Sequence, residues 1–436
     1  MIPEVDSYWL INAHVPVVLL ENNNFIPQTR EGLCLVDLEI VGGKIQQIIL
    51  ASQRVALNFP RIDLEKRIVF PGFVDIHTHL DKGHIWERSP NLEGTFEEAL
   101  IRVQEDSQQY WQAEDVYQRM EFGIKCSYAH GTMAIRTHID SLGKQGEISL
   151  EVFKTLQQEW ADRLTLQAVS LVSLDYYQTP YGIALADRIA EIGGILGGVA
   201  YMNPALDAQL AQVFLLAQER GLNLDFHADE NGDPDSICLQ KIAQTALEYQ
   251  FSGSIICGHC CSLAVQPEEV VAKTLDLVKS ANIGIVSLPM CNLYLQDRRS
   301  SQTPYWRGVT KVHELKQQGI AVAFASDNCR DPFYGFGDHD IKEVLTQAVR
   351  IAHLDTPYSD WCGSVTKTAA DLMGLPQRGR IGVGLKADLI IFQARYFSEL
   401  LSRPQADRIV LHQGQSIDTT LPKYQDLDEC ILFKSA

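Results

Sequence analysis

Apolar and polar positions follow two rhythms along the 436-residue chain. Over residues 8–70, short apolar runs rich in β-branched residues (Tyr8–Ile11, Val17–Leu20, Leu33–Val41, Lys44–Leu50) are separated by Asn22-Asn23-Asn24 and Gly42-Gly43. Runs of that length between turn residues predict the strands of a small β-domain. From residue 69 the pattern changes to strands alternating with helical segments. Eight runs predict strands: Val69–His79, Thr132–Ile139, Leu164–Ser173, Gly194–Met202, Leu222–His227, Ser254–Cys260, Asn282–Leu288 and Ile320–Ser326. Start and stop signals fall between them. Thr95 and Glu98 have capping-box spacing, Asp233-Pro234 predicts a helix start, and Gly221, Gly253 and Gly319 stand just before strands. Such alternation predicts a parallel sheet, and eight repeats of it a closed (β/α)8 TIM barrel within an α/β chain. Beyond about residue 380 the short strands return (Ala387–Phe392, Arg408–Leu411) and complete the first β-domain. The expected division is therefore 1–68 and 380–436 for the β-domain, and 69–379 for the barrel.

Composition narrows the partners. An apolar fraction of 46% is ample for the core of a barrel plus a smaller domain. Net charge is −18, from 37 basic and 55 acidic residues without blocks of like charge, which argues against a nucleic-acid partner. A small neutral ligand remains compatible. No apolar run is long enough to cross a bilayer. Met1-Ile2-Pro3-Glu4-Val5-Asp6 lacks a basic region followed by an apolar one, so no signal peptide is expected. The ten cysteines are scattered through apolar runs, as reduced thiols of a cytoplasmic protein would be.

Candidate chemistry gathers where barrel enzymes place it, at the C-terminal ends of strands. Strand one ends in His77-Thr78-His79. Residues i and i+2 of a strand share a face, so both imidazoles project together and suit one divalent metal. Two satisfied histidines at a strand end explain that pair equally well. Strand two carries Arg136-Thr137-His138-Ile139-Asp140; strand five ends His227-Ala228-Asp229-Glu230; strand six ends at His259; strand eight ends Ser326-Asp327-Asn328. That convergence favours the metal reading. The Cys257-Gly258-His259-Cys260 stretch has the spacing of a redox motif, yet it closes a buried strand instead of opening a helix. His259 therefore carries more weight than its flanking thiols. His130 and His353 read as structural, and His84 and Trp86 as closing over substrate or decorating a lid.

In these motifs the chain resembles the amidohydrolase superfamily, in its cytosine deaminase branch. The resemblance rests on Pro71–Asp81, Arg136–Asp140, His227–Glu230, His259, and Ser326-Asp327-Asn328 followed by Asp331-Pro332-Phe333. Cys291–Gln296 and Gly379–Asp388 also fit. It implies a barrel with a β-sandwich built from the two terminal segments, and one divalent metal ion, zinc or ferrous iron. The strand-four run has no lysine to bridge a second ion. His77, His79, His227 and Asp327 would hold the metal, which acidifies water. Asp327 would also take the water's proton, Glu230 would protonate a ring nitrogen, and His259 would orient the attacking oxygen. His138 is expected to pack or hydrogen-bond beneath the site.

The implied reaction is hydrolytic deamination of a small heterocycle, cytosine or a related pyrimidine or triazine. Two departures bear on the ring recognised. Ser173 stands where the branch carries a glutamine, and Asn328 stands where enzymes for cytosine carry an aspartate. Phe333 would lie against the ring. Asn328 with Arg330-Asp331 is also similar to aminohydrolases of the isopropylammelide type, and a cyclic-amide hydrolase would use the same centre. A catalytically silent relative would show a broken ligand set, which this chain does not. A homo-oligomer is expected.

Overall fold

The run Val69–His79 serves two sheets, divided at Gly72. In the computed structural model, described for residues 5–431 except 22–23, 55–57 and 359, Val69–Pro71 pairs antiparallel with Leu389–Ile391. Strand β1 (Phe73–Thr78) follows immediately. No side chain fits at the division, because a Cβ on Gly72 would lie 2.3 Å from Met133 Cγ. Met1–Glu4 and the expected turn residues Asn22 and Asn23 lie outside the described residues.

The remaining barrel strands are β2 (Thr132–Asp140), β3 (Thr165–Leu171), β4 (Leu196–Ala200), β5 (Leu224–Ala228), β6 (Ile255–His259), β7 (Ile283–Ser287) and β8 (Val322–Phe324). Strands β1, β2 and β3 are neighbours in one sheet, and β4 to β8 are successive parallel neighbours in another. Parallel bridges Val169↔Ile195 and Ser173↔Val199 join the third strand to the fourth, and Thr78↔Asp327 joins the end of the first to the end of the eighth. Hydrogen-bonded neighbours thus run from β1 round to β1, a mixed α/β arrangement of the TIM-barrel type. All five residues of β5, β6 and β7 are buried, as strands covered on both faces must be.

Helix α1 (Phe96–Tyr110) starts as its sequence requires. The Thr95 hydroxyl accepts the Glu98 backbone N–H at 3.2 Å, and Glu97 and Glu98 oppose the positive helix end. The helix expected from Asp233-Pro234 begins later, as α2 (Cys238–Glu248). Its cap comes from outside: Asp229, just after β5, accepts backbone N–H groups of Cys238 at 2.8 Å and Leu239 at 2.9 Å, and the Ser236 hydroxyl at 2.7 Å. Residues 233–236 instead form a turn, closed by the Ser236 N–H to the Asp233 carbonyl at 3.1 Å, and Cys238 is where a backbone N–H first meets that carboxylate.

Two four-stranded sheets are formed by other segments. One orders Lys44–Leu50, Leu33–Val41, Ser7–Pro16 and Arg61–Asp63; the other orders Gln415–Ser416, Ile409–His412, Leu389–Ile391 and Val69–Pro71. Both contribute to one apolar core, including Tyr8, Leu10, Val36, Leu38, Val69, Leu389, Ile391 and Leu411. The strand expected at Val17–Leu20 is instead a 3-10 turn over Val17–Leu19. Pro16 ends the ladder with Leu33, and the Leu20 N–H turns back to the Val17 carbonyl at 3.1 Å. Compactness divides the chain into Met1–Asp75 with Lys125–Ala134 and Asp340–Leu421, and Ile76–Ile124 with Ile135–His339 and Pro422–Ala436. Among the described residues, no helix is long and apolar enough to cross a membrane.

Strand β4 is packed to its limit at Gly197. A Cβ there would lie 2.3 Å from Val169 Cγ1, 2.4 Å from the Asp225 carbonyl and 2.8 Å from the Ser170 carbonyl. Two of those neighbours are main chain and cannot step aside by changing rotamer. Gly197→Ala should therefore cost about 1–3 kcal/mol of stability, read as a lower urea midpoint. A midpoint equal to that of the unaltered protein would mean the ring has slack there.

Candidate active site

Side chains from four strand ends meet at the C-terminal mouth of the ring. His77 is on β1 and His79 follows it, His227 is on β5, His259 ends β6, and Asp327 lies just past β8. Main-chain bonds fix the first and last together: Asp327 N–H donates to the His77 carbonyl at 2.9 Å, and His79 N–H donates to the Asp327 carbonyl at 3.2 Å. The Thr78 hydroxyl adds a bond to that same Asp327 carbonyl at 2.8 Å. Asp327 and His259 have φ of +63° and +68°. Left-handed backbone at non-glycine residues is costly, and it persists where surrounding structure imposes it.

The donor atoms converge. His227 Nε2 lies 3.2 Å from His77 Nε2 and 3.3 Å from His79 Nε2, and Asp327 Oδ1 lies 3.6 and 3.3 Å from the same two nitrogens. Tetrahedral bonds of about 2.1 Å give ligand–ligand edges of about 3.4 Å, so these spacings fit one ion. Proton counting points the same way. One ring nitrogen offers one proton or one lone pair, so His227 Nε2 cannot bond to both neighbouring nitrogens, whereas a central cation takes all three lone pairs. Burial holds His77, His79 and His227 well below the usual imidazole range, leaving them in the neutral form that a metal needs. His138 packs against His77 with ring centroids 3.8 Å apart and planes tilted by 33°, and is fully sealed; His77, His138 and His227 form a second, overlapping set of nearby donors.

Glu230 and His259 form the next layer. Glu230 Oε1 lies 3.2 Å from His259 Nδ1, and the Asn292 side-chain nitrogen lies 3.0 Å from that ring nitrogen. With Asn292 donating, Nδ1 is the acceptor and Nε2 carries the proton, a buried N–H with no protein partner among the described residues. Burial pushes His259 down to about 3. Burial, then the Asp327 charge, pushes the Glu230 carboxyl well above its usual range, against the opposing pull of Lys82. Both effects favour the protonated form of Glu230.

Beneath this layer lies a charged pair that sequence reasoning did not find. Arg136 Nη1 meets Asp225 Oδ2 at 2.9 Å, and its Nε and Nη2 meet Gln167 Oε1 at 3.0 and 2.9 Å. Burial pushes Asp225 up to about 7, with Arg136 opposing that rise. Lys82 was also missed. It is buried, bonds Asp140 at 2.7 Å, and sits 5.4 Å from the Phe333 ring centroid. Its place just after the His77–Asp81 motif was the available signal.

A cavity of about 610 Å³ opens above the donors. His79, His227, Glu230, His259 and Asp327 line it, as do Ser173, Asn328 and Phe333. Ser173 Oγ donates to Asp175 Oδ1 at 2.5 Å, and Asn328 Nδ2 donates to Asp331 Oδ2 at 2.7 Å, so neither side chain is idle. Helix α1 supplies much of another wall through Phe96, Leu100, Val103, Gln104 and Ser107. His84 and Trp86 do not line the cavity, in contrast to the lid role the sequence suggests. His84 is turned inward against Phe122, with ring centroids 4.7 Å apart.

A fold and donor set of this kind define a metal-assisted hydrolase, and comparison with known proteins gives its family. A profile of the amidohydrolase family matches residues 128–417. The chain is similar to a pterin deaminase of Rhizobium rhizogenes, 48% identical over 430 residues and 98% of both chains. It is 24% identical to an N-isopropylammelide isopropyl amidohydrolase of Pseudomonas sp. over 82% of this chain and 87% of that one. Among solved structures, 5-methylcytosine deaminase of Klebsiella pneumoniae superposes with a TM-score of 0.81 at 27% identity, covering 95% of this chain and 99% of that one. The chain belongs to the amidohydrolase family, hydrolases acting on carbon–nitrogen bonds.

Removing Arg136 should isolate the role of the buried pair. Arg136→Met leaves Asp225 sealed without its counter-charge and should cost about 3–5 kcal/mol. Arg136→Met combined with Asp225→Leu should recover much of that loss in chemical denaturation. A double variant no more stable than the single one would mean the packing of Arg136 matters, not its charge.

Proposed function

We propose that this amidohydrolase is a metal-dependent hydrolytic deaminase whose substrate is a pterin-type bicyclic aminoheterocycle. The observation that carries the reaction class is the convergence of three Nε2 atoms and one carboxylate oxygen at the floor of a cavity. The ring class is supported by the 48% identical pterin deaminase, by Ser173 in place of a longer amide, and by a cavity of about 610 Å³. A monocyclic aminopyrimidine is the second reading, favoured by the likeness to 5-methylcytosine deaminase. We also read the two four-stranded sheets as a β-sandwich of 1–68 and 380–436, and 69–379 as the catalytic barrel.

In this reading His77, His79, His227 and Asp327 hold one divalent ion, zinc or ferrous iron, whose Lewis acidity lowers the pKa of water to near neutrality. The water's proton passes to the Asp327 carboxylate. Glu230 donates its proton to the ring nitrogen beside the amino-bearing carbon as the oxygen adds to that carbon. The Nε2–H of His259, fixed by Asn292 at the opposite nitrogen, stabilises the negative charge growing on the oxygen. Asp327 then delivers its proton to the amine, the carbon–nitrogen bond breaks as the added oxygen becomes a carbonyl and its remaining proton returns to Glu230, and ammonia leaves. Asn328, Phe333 and Ser173 face the ring, with Phe333 against its plane.

An ammonia-release screen of metal-loaded protein against pterin, cytosine, 5-methylcytosine, guanine and N-isopropylammelide tests the substrate class. Pterin should give the highest kcat/KM, and a preference for either cytosine would establish the second reading instead. His77→Ala should lose bound metal and turnover together. Glu230→Gln should keep its metal while kcat falls by about 100- to 10,000-fold, and near-normal turnover there would remove Glu230 from the chemistry.

A further inference from the structure

Away from the cavity wall, three metal-binding side chains meet with no role in the reaction. His84 lies in the segment after β1, Cys329 two residues past Asp327, and His339 ten residues further on. Their donor atoms all lie within 4.8 Å of one another. The two Nε2 atoms face each other at 3.2 Å, the spacing seen between His77 and His227. All three residues are sealed, at 1, 1 and 2% exposure for His84, Cys329 and His339. We infer that His84, Cys329 and His339 form a second metal site, which takes one borderline-to-soft ion of the zinc class.

The donor chemistry supports the assignment. Two imidazoles and a thiolate prefer zinc or a softer ion over magnesium or calcium. Burial lowers His84 well below the usual imidazole range, so its ring is neutral and ready to ligate. A plain His84–His339 hydrogen bond would account for the facing nitrogens, but it gives no reason for a thiol at the same point. Gly123 packs closely against the pair, since a Cβ there would lie 2.9 Å from Leu80 Cδ2 and 3.0 Å from His339 Nε2. The electrostatic field is mixed. Arg119 and Arg330 oppose a cation near His84, whereas Asp331 and Asp338 favour one near Cys329. Binding would release the Cys329 proton to solvent, and water would complete the coordination.

The scaffold is already in place. His84 N–H donates to the Cys329 carbonyl at 3.1 Å, and Arg119 Nη1 donates to the Gly83 carbonyl at 3.1 Å. An ion here would clasp the segment carrying His79 to the segment carrying Asp327.

Cobalt substitution reads this site apart from the catalytic one, whose proposed donors include no sulfur. Protein saturated with Zn²⁺ and washed should retain two ions per chain by mass spectrometry. The Co²⁺-loaded protein should show a near-ultraviolet thiolate-to-cobalt charge-transfer band. Cys329→Ser should lose that band and one ion, and His84→Gln should lose one ion. If Cys329→Ser does not fold, the unaltered protein's spectrum and ion count still decide. One ion per chain or no thiolate band in the unaltered protein would overturn the assignment. So would a band that survives Cys329→Ser and disappears in Cys291→Ala.

Discussion

Two main-chain hydrogen bonds set the geometry of the candidate centre: Asp327 to the His77 carbonyl, and His79 to the Asp327 carbonyl. They join the end of the first barrel strand to the end of the eighth, where the ring closes. His77, His79 and Asp327 are positioned by that seam, and β5 then needs only to bring His227 across the interior. Shortening either strand by one residue would turn its side chains to the other face. The chemistry is therefore a property of closure, not of any local motif.

Burial does the second task. It pushes the histidines of the centre well below the usual imidazole range, the Glu230 carboxyl well above the usual carboxylate range, and Asp225 up to about 7 even beside Arg136. In water at neutral pH the two carboxyls would be fully ionised, whereas the imidazoles would already be largely neutral. The shifts follow from being enclosed together, with the Asp327 charge helping Glu230 to retain its proton.

Periodicity made the barrel legible. All eight predicted strands appear with boundary shifts of a few residues, because each is a short apolar run between turn signals. His77, His79, His227, His259 and Asp327 were legible because strand ends are where this architecture exposes polar groups. Long-range partners were not. Nothing local to Asp229 says that it caps a helix nine residues on, and nothing near Arg136 names Asp225 as its partner. Val17–Leu20 misled for a related reason: its residues favour strands, but Val17–Leu19 coil into a 3-10 turn after Pro16 and leave Leu20 a single bridge to Ile381. The burial of His84 was not legible either, because its contact with Phe122 joins residues far apart in the chain.

Helix α1 contributes Phe96, Leu100, Val103, Gln104 and Ser107 to the cavity but none of the converging donors. Part of the cavity wall therefore resides on a stretch of polypeptide separate from the converging donors. Substitutions on that one helix would reshape this wall while leaving the converging donors in place.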